Sequence, residues 1–325
     1  MEAKKSEYVS HMVGIIPIQA GPKNEGFPWP LALTPLYKNY TALHRSVLEC
    51  AMVGCTSIWV MAEKKHIPLL KTVIGSYIED PVLAQLPMTF KGNFKMKIPI
   101  WYASLPVRDI ERRDCYARSI MAGAEYATSV SARLSSFLVP EKFYVSFPYT
   151  TFSPWRLQVH RKEVRNENYN FFLTQNGLSI KDGQMLGFTF FQEDLKRYKK
   201  DFATMDVGEW HSIGEGADWH NPKFFRRLPK EQQNTGRHVT LDMAFRSATL
   251  EDATVLDAGV TYDISNWQGY TEYIKHSRHF RMPRKVAYFR HRKLKNLESR
   301  LIECEVYDDY DYANGETGAE QGSNI

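Results

Sequence analysis

Through the first half of the chain, short apolar runs alternate with stretches whose apolar residues recur at helical spacing. "GIIPIQA" (Gly14 to Ala20) reads as a buried strand stopped by Gly21. Thr41 is placed to cap a helix with Leu43, Val47, Leu48, Ala51 and Met52 on its inner face and Gly54 as its stop. "TSIWVMA" (Thr56 to Ala62) predicts a second strand, and His66 to Ile78 a helix with Pro68 in its first turn. "IPIWYAS" (Ile98 to Ser104) follows as a third strand and Asp109 to Val130 as a third helix. "KFYVSFP" (Lys142 to Pro148) is the fourth strand. Strands alternating with amphipathic helices imply a parallel sheet covered on both faces.

Beyond Pro148 the alternation loosens. "GQMLGFTFF" (Gly183 to Phe191) predicts a strand, with a helix behind it through about Lys200. Residues 205–237 resist assignment, "HVTLDMAF" and "ATVLDAGVTYDI" return to β character, and "NWQGYTEYIKHS" predicts a helix. From Cys304 the chain is acidic and glycine-containing, the composition of a disordered tail. The expected architecture is α/β: a Rossmann-like, mostly parallel sheet with helices on both faces and a smaller mixed region after about residue 150. The expected boundaries are an N-terminal extension (1–12), the main domain (13–277), a basic segment (278–302) and the acidic tail (303–325).

The long proline-rich stretch of residues 21–40 falls directly after the first strand, at the edge where open parallel sheets bind their ligands. It precedes a helix N-terminus, whose free amides favour anions. That placement points to a phosphate-bearing ligand. Charge points the same way. The formal net charge is +5, but residues 303–325 hold seven acids and no Lys or Arg, which leaves the remainder at +12. A basic body suits nucleotides, nucleic acid or the tail itself as partner. The stretch His276 to Lys295 has eight Lys or Arg, three His and no acid, with Phe280, Tyr288 and Phe289 interleaved. It is a candidate nucleic-acid contact. The four cysteines (Cys50, Cys55, Cys115, Cys304) show neither metal-ligand spacing nor a disulfide framework, so free thiols and a cytoplasmic setting are expected. His211, Glu215, Asp218 and His220 cluster in sequence without matching a metal-binding spacing.

Four segments in order resemble the sugar nucleotidyltransferases, the nucleotide-sugar pyrophosphorylases. They are the first strand ending in Ala20-Gly21 with "PLALTPL" and "TALHRSVLECAMVGCTSIWVM" behind it, "GQMLGFTFFQEDLKRY", "VTLDMAF", and "VTYDISNWQGYTEYIKHS". Together they span about residues 13–277. The resemblance implies a fold of nucleotidyltransferase or glycosyltransferase A type. It also implies that the backbone of Ala20 and Gly21 approaches a nucleotide, that Lys23 or Lys38 stabilises the transferring phosphate, and that Asp263 binds Mg²⁺. Arg112 and Arg113, read at the start of the third helix, would contact a phosphate or base. The sequence departs from the family at the loop, which reads "GPKNEG", and at the fourth strand, where no acid stands between Glu141 and Glu163. Three functions therefore stay open. One is formation of an activated sugar from an NTP and a sugar phosphate. Another is glycosyl transfer from a nucleotide sugar to a macromolecule such as DNA. The third is non-catalytic binding of a nucleotide or partner. Asp263 before "ISN" also reads as a helix N-cap.

Overall fold

The computed structural model describes residues 11–19, 27–37, 39–85, 96–107, 109–110, 115–205, 211–212, 225–226, 239–245, 248, 253–276 and 289–290. Its strands in chain order begin with β1 (Met12–Pro17), β2 (Pro35–Tyr37), β3 (Tyr40–Thr41), β4 (Ser57–Met61) and β5 (Tyr77–Glu79). Then come β6 (Lys97–Ala103), β7 (Lys142–Val145), β8 (Thr150–Thr151), β9 (Phe171–Thr174) and β10 (Phe188–Phe191). The last are β11 (His211–Ser212), β12 (Phe225–Arg226), β13 (Thr254–Asp257), β14 (Tyr262–Asp263) and β15 (Phe289–Arg290). The helices are α1 (Ala42–Met52), α2 (Ile67–Ile74), α3 (Tyr116–Leu134), α4 (Arg161–Asn166), α5 (Gln192–Met205), α6 (Leu241–Ala244) and α7 (Trp267–His276).

Nine strands form one sheet in the order β13-β9-β10-β7-β1-β4-β6-β5-β15. The centre, β7-β1-β4-β6, is wholly parallel, and only β10 and β5 run against the common direction. The α/β sheet read from the sequence is the sheet observed. Alternating side chains feed two cores. Met12, Ile16, Ile58 and Val60 join α1 and α2 on one face, whereas Ile15, Met61, Phe143 and Val145 join α3 and α5 on the other. Two glycines let the helices press on β1. A Cβ at Gly14 would lie 2.8 Å from Cys50 Sγ on α1, and one at Gly123 of α3 would lie 2.9 Å from Ile15. Either added methyl would push a helix off the central strand.

Local signals explain most of the elements. Thr41 caps α1 as predicted, its side chain accepting from the His44 amide while the Thr41 amide donates to His44 Nδ1. Pro68 lies in the first turn of α2. That helix stops at Gly75, whose φ of 96° suits glycine, and the expected helical residues 77–78 instead enter β5. The third helix starts later than its pattern suggests. Cys115 is extended (φ −116°, ψ 165°) as the N-cap of α3, so Asp109 and Ile110 precede the helix. Asp109 is held instead by Arg118, at 2.8 Å.

"HVTLDMAF" is a further correction. Its centre is the short helix α6, which buries Leu241 and Ala244 against the α3 and α5 side of the sheet. Among the described residues no strand pairs with it, and the amides of Ala244 and Phe245 donate to the carbonyls of Thr240 and Leu241, so local i→i−4 bonds win. β15 pairs with β5 and brings two residues of the basic segment, beyond 277, into the main sheet. The acidic residues 303–325 lie outside the described residues. Among the described residues no helix is long and apolar enough to cross a membrane. Cys50, Cys55 and Cys115 are buried free thiols.

Candidate active site

The carboxyl ends of the central strands are tied together around one buried residue, Gln19. Where β1 ends, the amides of Ile18 and Gln19 both donate to the Met61 carbonyl at the end of β4, each at 2.8 Å. Gln19 Oε1 accepts from the Leu105 amide just past β6 at 2.9 Å, and its backbone carbonyl accepts from Ser119 Oγ of α3 at 3.0 Å. One glutamine thus fixes the ends of three strands and a helix into a floor. The next residues, 20–26, include Ala20, Gly21 and Lys23 and lie outside the described residues, as do Lys38, Arg112 and Arg113. The last two also precede α3 rather than begin it.

From Phe27 the proline-rich loop is well defined. Phe27 and Leu31 pack on Tyr149, flanked by Trp29, Tyr116 and Tyr270. Phe27 meets Trp267 edge-on at 5.3 Å and Tyr270 at 5.9 Å, so α7 supplies two rings of the cluster. Hydrogen bonds lock the same contact. Tyr270 donates to the Pro35 carbonyl at 2.8 Å and Tyr273 to the Leu36 carbonyl at 3.3 Å. Trp29 Nε1 donates to Thr34 Oγ1, which donates to the Leu31 carbonyl. The loop is therefore a wall of rings held by the last helix. Trp267 remains 56% exposed at its rim.

The fourth side is the exit of β7. Ser146 donates its amide to Ile15 and its hydroxyl to Glu49 Oε2 at 2.6 Å. Glu49 also accepts from Tyr144 at 2.6 Å and from Arg45 at 2.8 Å, while Arg45 donates to the Phe147 carbonyl and Ser46 Oγ and stacks on Phe152. Glu49 is fully buried, and desolvation pushes its carboxyl upward against the pull of Arg45. The network sets the backbone of residues 146–147 without facing solvent.

Beyond it, β8 and β14 pair antiparallel with Asp263 opposite Thr150, and the Ile264 amide donates to the Tyr149 carbonyl at 2.8 Å. This pairing carries Asp263 to the exit of β7. Its carboxylate is exposed. One oxygen accepts from the Ser265 amide at 2.8 Å, and the other has no partner among the described residues. Asp263 does not cap α7. That role falls to Asn266, whose Oδ1 accepts from the Gly269 amide at 2.8 Å. Tyr116, the first residue of α3, packs edge-on to Phe147, and its buried hydroxyl has no hydrogen-bond partner among the described residues. Burial pushes that hydroxyl's pKa up strongly, and the charges of Tyr149 and Asp263 push it further. A buried orphan hydroxyl within reach of a carboxylate's charge is a position that a ligand group can complete.

Of the residues assigned from the sequence to the nucleotide, the transferring phosphate or Mg²⁺, Asp263 alone lies among those described. The rings of Phe27, Trp29, Tyr149, Trp267 and Tyr270 and the network of Arg45, Glu49 and Tyr144 are additions. His211 sits in a two-residue strand, and Glu215, Asp218 and His220 lie outside the described residues. Among the described residues no three His, Cys, Asp or Glu side chains gather as a metal site. Asp263 instead offers one carboxylate with a vacant oxygen. That fits Mg²⁺, which is often held by one or two carboxylates together with substrate phosphates.

No family model and no curated protein matches the chain. Similar solved structures include a Bacillus anthracis protein assigned as a glucose-1-phosphate thymidylyltransferase, in complex with a sucrose. It is 11% identical over 84% of this chain and 97% of that one, with a TM-score of 0.48. A UDP-glucose pyrophosphorylase complexed with UDP-glucose is 11% identical over 82% and 98%, with a TM-score of 0.47. A 4-diphosphocytidyl-2C-methyl-D-erythritol synthase from Anaerococcus prevotii is 10% identical over 82% and 96%, with a TM-score of 0.42. Likeness of this grade gives no residue its role.

Proposed function

We propose that the carboxyl edge of β1, β4, β6 and β7 binds a nucleotide or nucleotide sugar. The observation that carries this is the delivery of Asp263 by the β8–β14 pair to the exit of β7, where its charge acts on the buried hydroxyl of Tyr116. The ring wall would take the flat base or the sugar. Gly21, Lys23, Lys38, Arg112 and Arg113 would contact phosphates. Asp263 would hold Mg²⁺, which when bound neutralises phosphate charge. If the chain makes an activated sugar, a sugar-phosphate oxygen forms the new bond to the α-phosphorus of an NTP as the bond to pyrophosphate breaks. The lysines would stabilise charge on the leaving oxygens. The basic stretch 276–295 would add a nucleic-acid contact outside this edge.

A second reading has one observation behind it. The segment that leaves β7, residues 146–151, carries no acid of its own, which favours a transferase that uses a preformed nucleotide sugar, or a binding protein. A thermal-shift screen with NTPs, NDPs and NDP-sugars, with and without Mg²⁺, tests the common proposal, because a ligand of the native state raises the melting temperature. A response to at least one class is expected, and silence to every ligand would remove it. Pyrophosphate release with sugar phosphates then separates the first reading from the second.

A further inference from the structure

The sheet is not covered equally on its two faces. On one, Ile98, Ile100 and Ile78 of β6 and β5 are buried in the core shared with α1 and α2. On the other, α3 lies across β1 and β4, and among the described residues no helix covers the outer strands. Trp101 of β6 is 46% exposed there and Lys97 is exposed. The Trp101 ring stacks on Trp59 of β4, with centroids 5.8 Å apart and planes at 20°. Trp59 is only 7% exposed, so it backs the outer ring and holds it in place. One step along, Tyr77 of β5 lies opposite Pro99, with Lys97 Nζ 4.8 Å from its ring centre. Glu79 on this face is buried at 6% exposure.

The strand that extends this face is β15, and its register is informative. It pairs with β5 at the outer edge of the sheet, with Arg290 opposite Tyr77 and Phe289 opposite Ile78. β15 lies within the stretch 276–295, whose eight Lys or Arg come with no acid. The sheet pairing therefore brings two residues of this basic stretch to the edge of an exposed aromatic surface.

We propose that this open face of β6, β5 and β15 is a platform for single-stranded nucleic acid. The chemistry selects that ligand over others. Rings fixed on a flat sheet stack on unpaired bases of any sequence, and a basic edge follows the phosphates. A duplex keeps its bases stacked inside and cannot offer them to Trp101. The platform does not depend on a nucleotide bound at the carboxyl edge.

Fluorescence anisotropy of the full chain with labelled strands of about 16 nucleotides, DNA and RNA in separate arms, tests this. Binding is expected to fall steeply with salt, and to exceed binding to a duplex of equal length. Trp101→Ala should weaken it roughly tenfold, and Trp101→Phe should restore most of the loss, because base–aromatic stacking contributes about 1–3 kcal/mol per base. Lys97→Gln should flatten the salt dependence by about 0.7 in slope. Unchanged melting curves establish that the variants are folded. Absence of binding at low salt, preference for duplex, or equal binding by Trp101→Ala would overturn the proposal. So would a Trp101→Ala variant that binds the strand normally but loses self-association in sedimentation, since the face would then be a protein interface.

Discussion

Glu49 and Asp263 both stand at the exit of β7, one beneath the backbone and the other on its rim. Glu49 has no exposure and three side-chain donors, and each of its oxygens is engaged. Asp263 is exposed, with one oxygen on the Ser265 amide and the other open. The same chemical group is closed off by the fold in one place and left unfinished in the other. Lys142, at the opposite end of β7, belongs with Glu49. It is fully buried, its ammonium donates to the carbonyls of Val164, Glu167 and Tyr169, and it faces the rings of Phe171 and Phe191. Completeness of partners, more than charge, separates groups that build the protein from groups that can meet a ligand.

The sharpest way to break this contrast is to remove the closed acid. Glu49→Ala leaves Arg45 charged and unpaired in the core and should cost about 3–5 kcal/mol in urea unfolding. A loss below about 1 kcal/mol would show that water can replace the network.

Lys142→Met should cost about 2–3 kcal/mol at neutral pH, because three buried carbonyls lose their donor. Burial pulls the ammonium down to about 7 from its ordinary 10.5. Between those values the unfolded chain holds a proton that the folded chain releases, so stability rises with pH through that window. The advantage of wild type over Lys142→Met should therefore grow from pH 7 to 9. A constant difference would mean that the three carbonyls keep the ammonium charged throughout.

Smaller effects test the open side. Asn266→Ala removes the cap of α7 and should cost about 1 kcal/mol. Asp263→Asn should shift stability by less than about 0.5 kcal/mol, yet abolish any Mg²⁺-dependent thermal shift by nucleotides. If stability falls as far as in Asn266→Ala and nucleotide response is kept, Asp263 is structural.

Much of the centre was legible because its residues obey one rule at a time. Thr41 followed by Leu43, Val47 and Leu48 is a cap and a stripe, and "SIWVM" is an apolar run between turn residues. Tertiary partners decided the rest. "HVTLDMAF" has strand composition, but among the described residues no ladder accepts it. The start of α3 was displaced because Asp109 is bound by Arg118, a contact no local pattern shows. In the candidate site, the motif singled out Asp263, which the structure places opposite Thr150 with its carboxylate exposed. Arg45 and Glu49 were not, since an i,i+4 pair on a helix usually means a solvated face. The available clue was an α1 sequence in which Glu49 stands among Val47, Leu48, Cys50 and Ala51. The ring wall joins Phe27, Tyr149 and Trp267 from three distant segments, and convergence of that kind has no local signature.

The pairing of β8 with β14 has a consequence for the order in which the molecule is made. Thr150 and its partner Asp263 are separated by more than a hundred residues, so their contact closes a very long loop. Local elements such as α1 with β1 and β4 can form while the chain is still emerging from the ribosome, but this handshake must wait until residues 262 and 263 have been made. Contacts of such range are slow to form and are made late. The protein should thus pass through a state with a largely assembled sheet and an unfinished carboxyl edge. A chain cut short before residue 262 would keep its central strands while never acquiring the place where a nucleotide would bind.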